Sequence, residues 1–151
     1  MARRNVVKVG DEILRKKCKP VVIFDEKLWQ LLDDMKETMI AEMGVGLAAP
    51  QVGVMRRACV VSPDGETFYE FINPVIIKTS GNQLCEEGCL SVPGARGTVL
   101  RPQKIKFRYN DRKGDLYEME CSDFLANICC HEFDHLDGIL FTDKIIKEQQ
   151  D

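Results

Sequence analysis

The chain has 151 residues, 44% hydrophobic and 30% charged, and its 21 Lys and Arg against 24 Asp and Glu give a formal net charge of −3. That length predicts one compact domain over residues 1–151, with no room for two independent cores. The mixed signs argue against a nucleic-acid binder, no apolar run is long enough for a membrane span, and no signal peptide is evident.

The opening Met1-Ala2-Arg3-Arg4 is basic but short, and reads as a solvated N-terminus. Asp25 to Met43 predicts the first helix. Leu28, Leu31, Leu32, Met35, Met39 and Met43 recur at three- and four-residue steps and form one apolar stripe. Asp25 suits the N-cap, and Gly44 stands where a left-handed residue ends a helix.

The period then changes. Ala58 to Val61, Thr67 to Ile72 and Val75 to Lys78 are β-rich runs separated by Pro63-Asp64-Gly65 and Asn73-Pro74. Lys104 to Tyr109 alternates, turns through Asn110 to Gly114, and returns as Leu116 to Cys121, an antiparallel hairpin signature. A second helix is predicted from about Asp123 to Leu136, ended by Asp137-Gly138. Helix, strands, helix predicts an α+β fold, with antiparallel β-sheets packed around the C-terminal helix and an N-terminal helix alongside.

Seven cysteines, at 18, 59, 85, 89, 121, 129 and 130, form an odd set with no export signal. This favours a reducing cytoplasm over a disulfide framework, with most of the thiols buried as small hydrophobes.

The only two histidines fall in the second helix, as His131-Glu132-Phe133-Asp134-His135. A four-residue step puts both imidazoles on one face, where they can share a divalent ion at about 2.0–2.1 Å. Glu132, about 100° round the helix, is placed to handle the proton of a metal-activated water. A catalytic site needs a third ligand. The metzincin pattern would put a histidine at position 141, where Phe141 stands, and Glu148 lies too near the chain end to be a distant glutamate ligand. A metalloprotease and a purely structural metal site remain the competing readings.

Three ordered blocks resemble the peptide deformylase family. They are Gly44-Val45-Gly46-Leu47-Ala48-Ala49-Pro50-Gln51, then Glu87-Gly88-Cys89-Leu90-Ser91 with Val92-Pro93-Gly94-Ala95-Arg96 after it, and the histidine helix. The resemblance implies Cys89 as third ligand beside His131 and His135, holding one divalent ion, Fe2+ in the cell, with Zn2+, Ni2+ or Co2+ able to replace it. It implies hydrolysis of N-formylmethionyl ends of nascent polypeptides, with attack by metal-bound water and Glu132 as general base and acid. Gln51 and the Leu90 backbone N–H would hold the oxyanion, and Val45, Phe124, Ile128 and one side of His131 the methionine. Phe124, Ile128, His131 and His135 follow at helical steps, consistent with one face. Gly46, lacking Cβ, would let a peptide backbone approach, and Arg96 would touch that backbone or brace its loop. Cys130, where the family often has glutamine, should point away from the imidazoles, and Asn127 should stand near the pocket rim. The short polar tail from Lys147 replaces the longer C-terminal helix of many members, which argues against docking on the ribosome beyond a transient contact.

Overall fold

The structure is a computed structural model that describes residues 2–148; Met1 and the tail residues Gln149, Gln150 and Asp151 lie outside them. A 3₁₀ turn at Glu12–Arg15 precedes helix α1 (Glu26–Ala41). Strands β1 (Gly46–Ala48), β2 (Ala58–Val61), β3 (Tyr69–Ser80), β4 (Gln83–Cys89), β5 (Val92–Arg101), β6 (Lys104–Asn110) and β7 (Leu116–Ser122) follow. Helix α2 (Asp123–Leu136), a 3₁₀ turn at Phe141–Asp143 and strand β8 (Ile145–Glu148) complete the chain. One sheet runs β1-β2-β3-β6-β7 and the other β4-β5-β8, every pairing between these strands being antiparallel. The α+β architecture inferred from the order of periods is the one observed.

The two helices sandwich the larger sheet. The α1 stripe of Leu28, Leu31, Leu32, Met35 and Met39 packs with Ala58, Val60 and Ile72. Ile128, Cys129, Phe133 and Leu136 of α2 pack with Cys59, Val61, Phe71 and Phe107. Alternate residues of β2 therefore face different helices, which is why this short strand is apolar throughout. A third cluster, Leu14, Val92, Val99, Leu140 and Phe141, supports the smaller sheet. No helix among the described residues is long and apolar enough to cross a membrane.

Three local expectations change. The runs on either side of Asn73-Pro74 form one strand, β3, whose pairing with β6 shifts register between Ile72 and Val75. Asn73 adopts φ 53 there, and its side chain bonds the Val21 backbone at 2.8 Å in both directions, so the Asn-Pro signal marks a bulge and not a turn. At the end of α1 the left-handed residue is Met43 (φ 56), one position before Gly44. The N-terminal segment, although Ala2 and Arg3 are exposed, is also tethered to the fold. The Ala2 and Arg4 amides donate to Asp34 and Thr38 at 2.8 Å, and the Arg4 guanidinium pairs with Asp34 at 2.9 Å. Further along, the Val7 and Val9 amides donate to the carbonyls of Gln51 and Ser91 at 2.7 Å.

Candidate metal centre

Helix α2 presents His131 and His135 one turn apart, with ring centroids 5.0 Å from each other. Cys89 arrives from the end of β4, where the pairing with β5 shifts between Glu87 and Cys89 before closing on Val92. The cysteine sulfur lies 3.4 Å from His135 Nε2, and the ligand atoms of Cys89, His131 and His135 all lie within 4.8 Å of one another. For bonds of about 2.3 Å to sulfur and 2.0–2.1 Å to nitrogen, such separations fit one cation. A soft thiolate with two imidazoles suits iron(II), zinc, nickel or cobalt.

A second layer of side chains orients this trio. His131 Nδ1 lies 2.8 Å from Glu87 Oε1, so a proton on Nδ1 leaves Nε2 free for a ligand role. Glu87 is buried, and Arg101 holds it with two bonds of 2.8 and 2.9 Å, while Asn127 donates at 2.6 Å. Burial opposes the Glu87 charge, but Arg101 and His131 outweigh it and hold the carboxyl down at about 2. The same Arg101 reaches Asp134 on α2 at 2.6 Å and so ties β5 to both β4 and the helix.

The two imidazoles differ. Burial and the neighbouring His131 push His135 well below the usual histidine value, keeping it neutral. Burial also opposes charge on His131, yet hydrogen bonds to Cys89 and Glu87 and the charge of Glu132 raise it to about 10. A cation competes for the place of that proton. Burial pushes Glu132 up to about 7, with His131 pulling the other way, and its Oε1 has no hydrogen-bond partner among the described residues. A buried carboxylate poised near neutrality beside a ligand trio is equipped to accept a proton and return it.

Gln51 is buried, and its Oε1 accepts from the Ala48 amide at 2.9 Å. Its Nε2 therefore faces the site, donating to Ser91 Oγ at 3.1 Å and lying 3.5 Å from the Cys89 sulfur. A cavity of about 480 Å³ opens beside these groups. Its lining includes Val45, Gly46, Leu90, Phe124, Ile128 and Arg96. Phe124 stands half exposed at the mouth and Ile128 is buried. Arg96 lies against β4, with Nη1 3.0 Å from where a Cβ on Gly88 would sit. Gly46 has a tighter constraint than the approach of a peptide, because a Cβ there would meet Glu132 Oε2 at 2.5 Å.

The sequence profile for polypeptide deformylase matches residues 3–151. The chain belongs to the peptide deformylase family. The peptide deformylase of Caldanaerobacter subterraneus subsp. tengcongensis is 51% identical over 147 residues, 97% of this chain and 92% of the relative. That of Clostridium botulinum is 49% identical, over 98% of this chain and 100% of its own. Among solved structures, the Thermotoga maritima peptide deformylase superposes with a TM-score of 0.93 at 40% identity, covering 96% of this chain and 99% of that one.

The deformylase blocks thus meet in space: the glycine-rich segment and Gln51 on one side, Cys89 to Ser91 on the other, and α2 as the floor. Phe141, where a metzincin would place its third histidine, stacks on the His131 ring at 5.9 Å. Cys130 is buried in the core and stands outside the ligand trio. The reading from sequence missed the role of Glu87 and Arg101 entirely. A signal existed for Glu87 alone, which stands two residues before Cys89, a spacing that shares a face if the run is a strand; nothing in the sequence points to Arg101.

Proposed function

We propose that this chain hydrolyses the formyl group from the N-formylmethionyl ends of newly made polypeptides, releasing formate and a free α-amine. The observation that carries the reading is the convergence of Cys89, His131 and His135 beside the buried Glu132 in an open cavity. Those three residues would hold one divalent ion, Fe2+ in the cell, replaceable by Zn2+, Ni2+ or Co2+. When bound, it supplies Lewis-acid polarisation of the formyl carbonyl and lowers the pKa of water in the site.

The side chains around it do the rest. Glu132 takes a proton from the attacking water and delivers it to the departing amine nitrogen. The Gln51 side-chain amide and the Leu90 backbone N–H receive the negative charge that develops on the formyl oxygen. Val45, Phe124 and Ile128 hold the methionine side chain, Gly46 borders it, and Arg96 stands at the rim where the peptide continues. Glu87 keeps His131 in the tautomer that presents Nε2. Residues 1–151 act as one catalytic domain in the cytoplasm.

The test is a paired assay on anaerobically purified protein with its metal content measured. Formate release from formyl-Met peptides, with acetyl-Met and unblocked peptides left intact, is expected. Cleavage of internal peptide bonds regardless of the formyl group would favour a protease and overturn the proposal.

A further inference from the structure

Both helices end in the same hydrogen-bonded motif, but with different residues in its demanding position. At the end of α2 the Gly138 amide donates to His135 O at 3.1 Å and the Ile139 amide to Asp134 O at 3.0 Å, with Gly138 left-handed at φ 75. At the end of α1 the Met43 amide donates to Ile40 O at 3.1 Å and the Gly44 amide to Met39 O at 2.9 Å. Here Met43 takes the left-handed conformation, at φ 56, although a glycine follows immediately. An L-residue in that region carries a steric cost, which glycine avoids.

Packing within the chain does not repay this cost. Met43 is 92% exposed, more than any other large hydrophobic residue described. Its location supplies the reason. Met43 lines the cavity beside the metal centre together with Val45, Leu90 and Phe124, of which Val45 is 41% and Phe124 52% exposed. These side chains form an apolar collar at the mouth, outside the buried Ile128. An observed backbone outlier next to a cavity is grounds for asking what the residue does there.

We propose that Met43 is a specificity residue: its side chain is a flexible apolar flap over the residue that follows formyl-methionine, favouring substrates with an apolar residue there. The inference rests on the deformylase reading of the site. The chemistry of the lining divides accordingly. Val45 and Ile128 are β-branched and stiff, which suits one invariant side chain. A methionine has three rotatable bonds and a polarisable sulfur, which suits a neighbour that differs from one nascent polypeptide to the next.

The test compares formyl-Met-Leu-amide with formyl-Met-Ser-amide on metal-loaded protein. The variants are Met43→Gly and Met43→Asn, both compatible with a left-handed backbone, and Ile40→Ala as a control on the same helix end outside the cavity lining. The parent should prefer leucine by roughly three- to ten-fold in kcat/KM, carried by KM, which is less than an enclosed pocket gives. In both Met43 variants that ratio should fall toward one, while Ile40→Ala keeps it and Met43→Gly melts no lower than the parent. An unchanged ratio in the Met43 variants, no leucine preference in the parent, or an equal fall in kcat on both peptides would overturn the inference. Absence of formate from either peptide with the parent would sink the deformylase reading itself, and this inference with it.

Discussion

The Glu132 carboxylate fills the space that a side chain on Gly46 would need: a Cβ there would lie 2.5 Å from Oε2 and 2.9 Å from both Cγ and Cδ. No β-carbon fits without moving the proposed base. Gly46→Ala should therefore lower kcat by about 10²-fold or more, in the range expected for losing a general base, while bound metal stays near the parent level. Steady-state kinetics with metal analysis checks this. A near-normal kcat with a raised KM would instead return Gly46 to the role of admitting the peptide.

Glu87 joins the metal centre to the fold. Glu87→Ala would leave His131 unoriented and strip Arg101, whose side chain is 2% exposed, of both its bonds to this carboxylate, leaving the one to Asp134. Breaking a buried pair costs about 3–5 kcal/mol, and loss of an orienting carboxylate typically weakens metal binding about 10–100-fold. Both changes should appear together, in denaturant unfolding and in competition with a metal chelator. A variant that lost stability but kept its metal affinity would separate the ion pair from the site.

Asp34 anchors the N-terminal segment. Burial works against its charge, but hydrogen bonds from Ala2, Gln30 and Arg4 hold its carboxyl below the usual value of 3.8. A depressed native value means the contribution is complete above the unfolded value and is lost as pH falls below it. Amide exchange should therefore show the segment of residues 2–9 protected at neutral pH and freed in acid below about 4. Asp34→Asn should free it at neutral pH as well. Persistent protection in that variant would assign the hold to Thr38 and the backbone bonds alone.

A thiolate beside a redox-active ion is exposed to oxidation. The iron-loaded protein should lose activity during incubation in air, with mass added at Cys89, while the nickel-loaded protein keeps its activity over the same period. Equal lifetimes of the two forms would remove Cys89 from the coordination sphere.

The elements best read from sequence were those whose burial is periodic. The α1 stripe up to Met39, the Asp25 cap, β2 and the β6–β7 hairpin stand close to where the patterns put them, whereas Met43, counted in that stripe, lies beyond the helix and is exposed. Strands β4 and β5 were not among the assigned runs: Pro93, Gly94 and Gly97 interrupt any alternation in β5, and both strands are extended through pairing with each other and with β8. At the site, the histidine spacing was legible because one helical turn joins its members. Cys89 needed the family resemblance, and the Glu87–Arg101 pair needed coordinates, since 14 residues separate partners that meet only across two strands. Met43 misled for a subtler reason: glycine is the default left-handed residue, and the chain placed it one position late.

Cys89 hangs from the smaller sheet, while both imidazoles belong to the helix that floors the larger one. Any ion gripped by all three is thus a rivet between layers, so loading with cation and resisting heat become one linked property of this fold. Stripping the ion should lower the melting temperature, with amide exchange rising first along β4 and β5.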